Sequence, residues 1–135
     1  MGHSTMFAIE VDTRFSAAHA LRLTAGATEP LHGHDFRATI KIAAHSLDAI
    51  DTVLDFHEVE AALDLIIAPW RNANLNEVEP FRSSINPSAE RIAEYLGRQI
   101  QALLREIDPA GARGLALVEI RLTEAPNCRA TWSPD

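Results

Sequence analysis

The sequence predicts an α+β fold in which two helices cover one face of a four-stranded antiparallel sheet. Two long segments near the N-terminus and two shorter ones near the C-terminus alternate apolar with polar residues, which is typical of strands with one buried face. Two segments between them carry apolar residues at the three- and four-residue spacing of an amphipathic helix. The resulting order, β-β-α-α-β-β, gives both helices an apolar stripe to bury against the sheet.

Length and charge limit the classes of function. The chain has 135 residues, enough for one domain, which we assign to residues 6–135. Residues 1–5 are set apart as an N-terminal extension, native or left over from expression. The formal net charge of −7 argues against nucleic acid or an anionic membrane as a partner. One cysteine cannot form an internal disulfide, and no segment reads as a signal peptide or membrane span, so we expect a cytoplasmic protein.

Two N-terminal segments are predicted to be the long strands. In residues 6–17, apolar side chains from Phe7 to Ala17 alternate with charged ones, and in residues 31–45 those from Phe36 to Ala44 do the same. Residues 21–30 contain Gly, Thr, Ala and Pro without a period and are predicted to be a loop. The two strands therefore pair antiparallel if their connection is hairpin-like.

The helices are predicted from their caps and their apolar spacing. Asp55 is placed as the N-cap of the first helix, and Pro69 ends it. Asn86 is predicted to cap the second helix, with Pro87 in its first position and an apolar stripe from residue 92 to residue 107. Residues 70–85 between the helices are predicted to be irregular.

Two short strands, residues 115–123 and 127–132, complete the predicted sheet. The apolar face of the first carries Ala116, Val118, Ile120 and Leu122, and Glu124 continues its parity. A carboxylate in that position either lies in solvent at the sheet edge, which composition alone favours, or is buried with donors. If it is buried, it suits a ligand that offers two parallel N–H groups.

Three histidines are predicted to lie on the apolar faces of the long strands. His32 and His34 are two residues apart, so their side chains point to the same side of an extended chain. His19 continues the parity of the first strand if that strand stays regular. Buried imidazoles need a partner, and a metal ion suits three of them, whereas the alternative is a set of solvated loop histidines. Three neutral histidines with an open fourth position are typical of catalytic zinc, and one cysteine excludes a thiolate-rich site.

Six short motifs, in this order and spacing, give the chain a family resemblance. They are Phe15-Ser-Ala-Ala-His19, Leu31-His-Gly-His-Asp-Phe36, Leu54-Asp-Phe56, Leu75-Asn76, Asn86-Pro-Ser-Ala-Glu90 and Leu122-Thr-Glu124. Together they resemble the 6-pyruvoyltetrahydropterin synthase / 6-carboxytetrahydropterin synthase family over nearly the whole chain. No single motif is specific, but their combination is.

The resemblance implies a fold, a metal and a reaction. The fold is the T-fold, whose subunits close into a barrel, usually as a homohexamer of two trimers with active sites at the subunit interfaces. The metal is Zn²⁺, held by His19, His32 and His34. The substrate is 7,8-dihydroneopterin triphosphate, whose ring Glu124 anchors through the 2-amino and N3 hydrogens while its side chain undergoes a lyase reaction.

Two positions depart from the family pattern. The catalytic cysteine of the family lies four residues before His-Gly-His, where this chain has Thr28, and its neighbour Glu29 makes the chain similar to the subgroup that uses a glutamate and forms 6-hydroxymethyldihydropterin. The Asp-His pair of the family aligns with Arg71-Asn72, neither of which relays a proton. Three hypotheses follow: a zinc-dependent lyase with Glu29 as base, a diverged enzyme whose Arg71 pairs with a different, anionic substrate, and a pterin-binding protein without turnover.

Overall fold

The structure, a computed structural model, describes residues 6–135, and the N-terminal extension of residues 1–5 lies outside the described residues. Its elements are β1 (Phe7–His19), β2 (His32–Ala44), α1 (Phe56–Ile67), β3 (Ala73–Asn74), α2 (Ala89–Ile107), β4 (Ala116–Ala125) and β5 (Cys128–Trp132). Short 3₁₀ turns at Thr24–Gly26, Ala68–Trp70 and Leu75–Glu77 lie in the connections. The predicted α+β class and the order of the two long strands, two helices and two C-terminal strands are confirmed.

The sheet has five strands rather than four, in the order β3-β1-β2-β4-β5. The additional strand, β3, pairs parallel to the end of β1 through Ala17 and Ala18, so the sheet is not entirely antiparallel as predicted. The chain reaches this edge because Asn72 turns with a φ of 56° and donates its N–H to the Ser16 carbonyl at 2.6 Å. Two residues are too few to show a strand period, and this segment was therefore predicted to be irregular.

The core lies between one face of the sheet and both helices. Its members share complete or nearly complete burial: Val11, Phe15 and Ala17 from β1, Phe36, Ala38, Ile40 and Ile42 from β2, Val59, Leu63 and Ile67 from α1, and Ile92, Leu96 and Ile100 from α2. The predicted inward parity is thus confirmed from Val11 to Ala17 and from Phe36 to Ala44, whereas Phe7 at the start of β1 is exposed. The opposite face of the sheet is polar, with Asp12, Arg37 and Thr39 joined there by side-chain hydrogen bonds.

Two bulges change the parity predicted for β4. Val118 has no partner on β2, so Leu117 points into the core while Ala116 and Val118 are exposed, which corrects the predicted inward placement of those two residues. Glu124 is likewise the extra residue between the pairs that Thr123 and Ala125 form with β5. One inserted residue reverses the alternation and re-aims the side chain at that point.

Helix α2 begins later than predicted. Its N-cap is Ser88, whose hydroxyl accepts from the Arg91 N–H at 3.2 Å, and not Asn86. Asn86 and Pro87 precede the helix; Asn86 contacts Arg22 in the β1–β2 connection, and the Pro87 carbonyl contacts the His19 ring at the end of β1. The predicted N-cap of α1 is confirmed, because Asp55 accepts from the His57 N–H. Among residues 6–135, no helix is long and apolar enough to cross a membrane.

Candidate metal centre

The pairing of β1 with β2 brings the three predicted histidines together. Thirteen residue pairs join the two strands, and the last pair places His19 directly opposite His32. His34 lies two residues further along β2 and points to the same face. One nitrogen of each ring lies within 4.8 Å of the others. The three side chains therefore form a cluster at the end of the sheet's apolar face, where a metal ion could be held.

Backbone carbonyls fix the orientation of two of these rings. Nδ1 of His19 lies 2.7 Å from the Pro87 carbonyl oxygen, and Nδ1 of His32 lies 2.9 Å from that of Pro30. A carbonyl only accepts hydrogen bonds, so Nδ1–H is the donor in both rings and Nε2 carries the lone pair. This tautomer is the one in which a histidine binds a metal through Nε2 while its second nitrogen is held by an outer partner.

The buried Nε2 of His19 indicates which kind of ligand the cluster could bind. His19 is 1% exposed, and its Nε2 has no hydrogen-bond partner within the described chain. An unpartnered buried nitrogen costs about 1–3 kcal/mol, so it calls for a ligand. A zinc ion bound to this lone pair would remove that cost, and three neutral imidazoles with no thiolate among them match a catalytic zinc site. The residues present therefore fit zinc.

Glu124 reaches the same cluster from β4. Its Oε1 lies 3.1 Å from Nε2 of His19, although without hydrogen-bond alignment, and its Oε2 lies 4.0 Å from Nε2 of His34. The side chain is 27% exposed, so it is neither solvated at the sheet edge nor fully buried. The bulge at Glu124 accounts for this aim, because an extra residue in the strand redirects its side chain.

Glu29 approaches the cluster from the β1–β2 connection. Its Oε1 accepts from the Leu21 N–H at 2.9 Å and lies 3.9 Å from Nε2 of His32. The neighbouring Thr28 pairs with Arg22 across the same connection. All five residues singled out in the sequence thus lie at one site: the three histidines, Glu29 and Glu124.

The Arg71-Asn72 segment lies beside the end of β1, where the Asn72 N–H donates to the Ser16 carbonyl. Asn72 lines a cavity of about 490 Å³ together with His34 and Asp35. Arg71 lines an adjoining cavity of about 350 Å³ that contains none of the three histidines, and its guanidinium donates to the Arg14 carbonyl and to Asp64. These contacts hold the arginine against β1 and α1.

The family model for 6-pyruvoyl tetrahydropterin synthase matches residues 8–135. The chain belongs to this family. A relative, the 6-carboxy-5,6,7,8-tetrahydropterin synthase of Bacillus subtilis (strain 168), is 26% identical over 137 residues, which cover 98% of this chain and 88% of that protein. The solved structure of the Caenorhabditis elegans 6-pyruvoyl tetrahydropterin synthase matches with a TM-score of 0.79 at 19% identity, over 100% of both chains. A Plasmodium vivax enzyme of the same name, a variant in which a catalytic glutamate is replaced by cysteine, matches with a TM-score of 0.70 at 17% identity, over 97% and 99% of the two chains.

This member of the 6-pyruvoyl tetrahydropterin synthase family also uses residues that the sequence did not assign to the site. Pro30 and Pro87 orient two histidines through their carbonyls, and Asn76 and Asn86 bind the backbone after His19. Asn76, Asn86 and Pro87 belong to the motifs Leu75-Asn76 and Asn86-Pro-Ser-Ala-Glu90, which could have indicated these three residues. Backbone carbonyls carry no signature in the residue type, however, and Asn86 fitted a helix cap equally well.

Proposed function

We propose that the protein is a zinc-dependent lyase that acts on the side chain of 7,8-dihydroneopterin triphosphate. The observation that carries this proposal is the convergence of three histidine ring nitrogens beside two carboxylates, with Nε2 of His19 buried and unpartnered. Membership of the 6-pyruvoyl tetrahydropterin synthase family supports the pterin substrate.

Each residue of the site has a distinct role in this proposal. His19, His32 and His34 would hold the zinc ion, whose positive charge would make the side-chain hydroxyls of the substrate more acidic. Glu29, whose carboxylate is held beside His32, takes the proton of the side-chain hydroxyl further from the ring as the bond between the two hydroxyl-bearing carbons breaks. The triphosphate-bearing fragment leaves as an aldehyde, and Glu29 returns the proton to the carbon that stays on the ring. Glu124 accepts the two parallel N–H groups of the pterin ring in fork geometry.

The choice of Glu29 as the base rests on its position and on a relative. Thr28, which replaces the cysteine of the family, is a poor base at neutral pH. The Plasmodium vivax relative has a catalytic glutamate, which supports the same role for a glutamate in this chain. We therefore propose 6-hydroxymethyldihydropterin as the product, with the pyruvoyl and carboxy products as the alternatives.

Arg71-Asn72 favours a second candidate, a pterin-binding protein without turnover. Neither residue can relay a proton in place of the Asp-His pair of the family. A diverged enzyme acting on another, anionic substrate is less well supported, because the Arg71 guanidinium already binds the Arg14 carbonyl and Asp64.

The open sheet supports the proposed assembly. β5 forms one edge, and β1 forms the other beyond the two residues that pair with β3. Unpaired edges of this length are templates for another strand. We propose that three copies pair through these edges into a barrel and that two trimers form a hexamer in the cytoplasm. Native mass spectrometry of the purified protein tests the assembly, because the mass of the complex gives the number of chains.

The proposed reaction is tested by incubating the zinc-loaded protein with 7,8-dihydroneopterin triphosphate and identifying products by mass. A 6-hydroxymethyl product that is lost in Glu29→Ala supports the lyase and its base. Bound substrate without any product supports the second candidate. Binding is measured in parallel with Glu124→Gln, which we expect to weaken it about 100-fold because an amide donor then faces the ring donors. Glu119→Gln, on the same strand, is the matched control and leaves binding unchanged.

A further inference from the structure

The three residues after His19 are held in an unusual way. Their consecutive backbone N–H groups each donate to a side chain from a different part of the chain: Ala20 to Asn76 at 2.8 Å, Leu21 to Glu29 at 2.9 Å, and Arg22 to Asn86 at 2.9 Å. The two asparagines also donate back through Nδ2, to the carbonyls of Ala20 at 2.7 Å and of Arg22 at 3.0 Å. Each asparagine amide therefore pairs with both the donor and the acceptor of one residue, as a neighbouring strand would.

This arrangement determines where the Leu21 N–H points. Successive N–H groups of an extended chain point to opposite sides, so fixing Ala20 and Arg22 from one side presents Leu21 to the other. Glu29 lies on that other side, and its own N–H donates to the Leu21 carbonyl at 3.0 Å. The Glu29 carboxylate is thus bound to an N–H whose direction is set by two asparagines, which themselves bond to the residues on either side of Leu21.

Both asparagines are anchored firmly enough for this role. Asn76 follows the fully buried Leu75, and its N–H donates to the Asn74 side chain at 3.0 Å. Asn86 precedes the buried Pro87 and the cap of α2. The two amides therefore belong to segments fixed by the core, and the β1–β2 connection takes its position from them.

We propose that Asn76 and Asn86 are positioning residues, which hold Leu21 so that its N–H keeps the Glu29 carboxylate aimed at the histidine cluster. This inference rests on the proposed function, because it gives Glu29 the role of base. It adds that the geometry of the base depends on two residues outside the zinc ligands. Loss of either amide lets the connection move and Glu29 leave its place, while the β1–β2 pairing still holds the backbone of the three histidines.

Amide hydrogen exchange, followed by NMR on the zinc-loaded protein, tests the positioning without substrate. In Asn76→Ala and Asn86→Ala we expect exchange at Leu21 to accelerate at least tenfold, as it does in Glu29→Ala, which removes the acceptor. Exchange at Ile40 and Ile42 in the core of β2 stays within twofold. Unchanged exchange at Leu21 in both asparagine variants overturns the proposal.

Two control variants separate positioning from loss of stability. Ser83→Ala removes a surface contact to Glu79 in the segment between Asn76 and Asn86 and leaves Leu21 exchange unchanged. Ile100→Val weakens the core of α2 far from its N-terminus, so it accelerates exchange generally rather than at Leu21. An asparagine variant that accelerates all amides together, as Ile100→Val does, also overturns the proposal.

Steady-state kinetics provide the second readout. We expect Asn86→Ala to lower kcat at least tenfold with KM within threefold, because ring binding through Glu124 is untouched. A kcat that stays within twofold of the wild-type value in Asn86→Ala contradicts the positioning role. If the wild-type protein forms no product, the proposed function is wrong. The exchange experiment still decides whether the asparagines position Glu29.

Discussion

Zinc binding at the histidine cluster should stabilise the protein in proportion to the logarithm of the free zinc concentration. The cluster is already assembled, because strand pairing brings the rings together and carbonyls orient His19 and His32. The folded chain would therefore bind the ion without reordering, while the unfolded chain has no such site. Above the dissociation constant, each tenfold rise in free zinc adds about 1.4 kcal/mol to the free energy of unfolding.

The size of the temperature shift follows from the length of the chain. An unfolding entropy of about 2.1 cal/mol/K per residue gives about 0.28 kcal/mol/K for 135 residues. A gain of about 1.4 kcal/mol then raises Tm by about 5 °C for every tenfold increase in free zinc. This slope does not depend on the affinity, which sets only the concentration at which the rise begins.

Thermal unfolding followed by circular dichroism in a series of metal buffers measures this slope. His32→Ala removes one ligand whose side chain is 39% exposed, so it should abolish the slope with little effect on the zinc-free Tm. His57→Ala is the matched control, because that side chain is 90% exposed and paired only with Asp55 in the structure, and it should keep the full slope. A flat wild-type response, or an equal slope in His32→Ala, would refute a zinc site at these histidines.

Two further predictions concern stability. A Cβ at Gly97 would lie 2.3 Å from two ring atoms of Trp132, so Gly97→Ala should lower Tm through overpacking of about 1–3 kcal/mol, partly offset by about 1 kcal/mol of helix propensity. In a Trp132→Ala background the same change should lower Tm less, because Ile120 Cγ1, 3.2 Å away, is then the nearest remaining contact. An equal loss of Tm in both backgrounds would contradict the clash with Trp132. Hydrogen bonds from Arg37 and then Thr39 lower the pKa of Asp12 below its ordinary 3.8, so its stabilisation is present above that pH and lost as the pH falls through the lower pKa of the folded state. In Thr39→Val, the midpoint of urea unfolding should therefore decrease less between about pH 5 and pH 2 than it does in the wild type. An unchanged pH profile would count against this contact.

The sequence predicted those parts of the fold that repeat over many residues. The strand alternation from Phe7 to Ala17 and from Phe36 to Ala44 extends over enough residues to identify the buried face, and the same parity carried His19, His32 and His34 to one side of the sheet. The helices were also predictable, because their apolar stripes run for three turns or more. The register of β1 against β2 could be determined only from the structure, because the connection of residues 20–31 is too long for turn geometry to fix that register.

The features that the sequence did not predict involve single residues or contacts between distant segments. The bulges at Val118 and Glu124 each depend on one extra residue, which leaves no periodic trace and reverses the face of its neighbours. The start of α2 was placed at Asn86 because asparagine and a following proline favour a helix start. Ser88 takes that position, since the Asn86 amide is already used by the backbone of Arg22.

Residues 75–88 show why an irregular segment lies beside the site. Its polar groups serve another part of the chain: Asn76 and Asn86 bind the β1–β2 connection, the Pro87 carbonyl orients His19, and the Phe81 carbonyl accepts from the Arg22 side chain. A helix or strand would have satisfied those groups internally and left the connection without partners. The long β1–β2 ladder therefore places the histidines, while a segment without an α-helix or a strand fixes what surrounds them. Changes in the ladder should alter metal binding first, and changes in residues 75–88 should alter the position of Glu29 first.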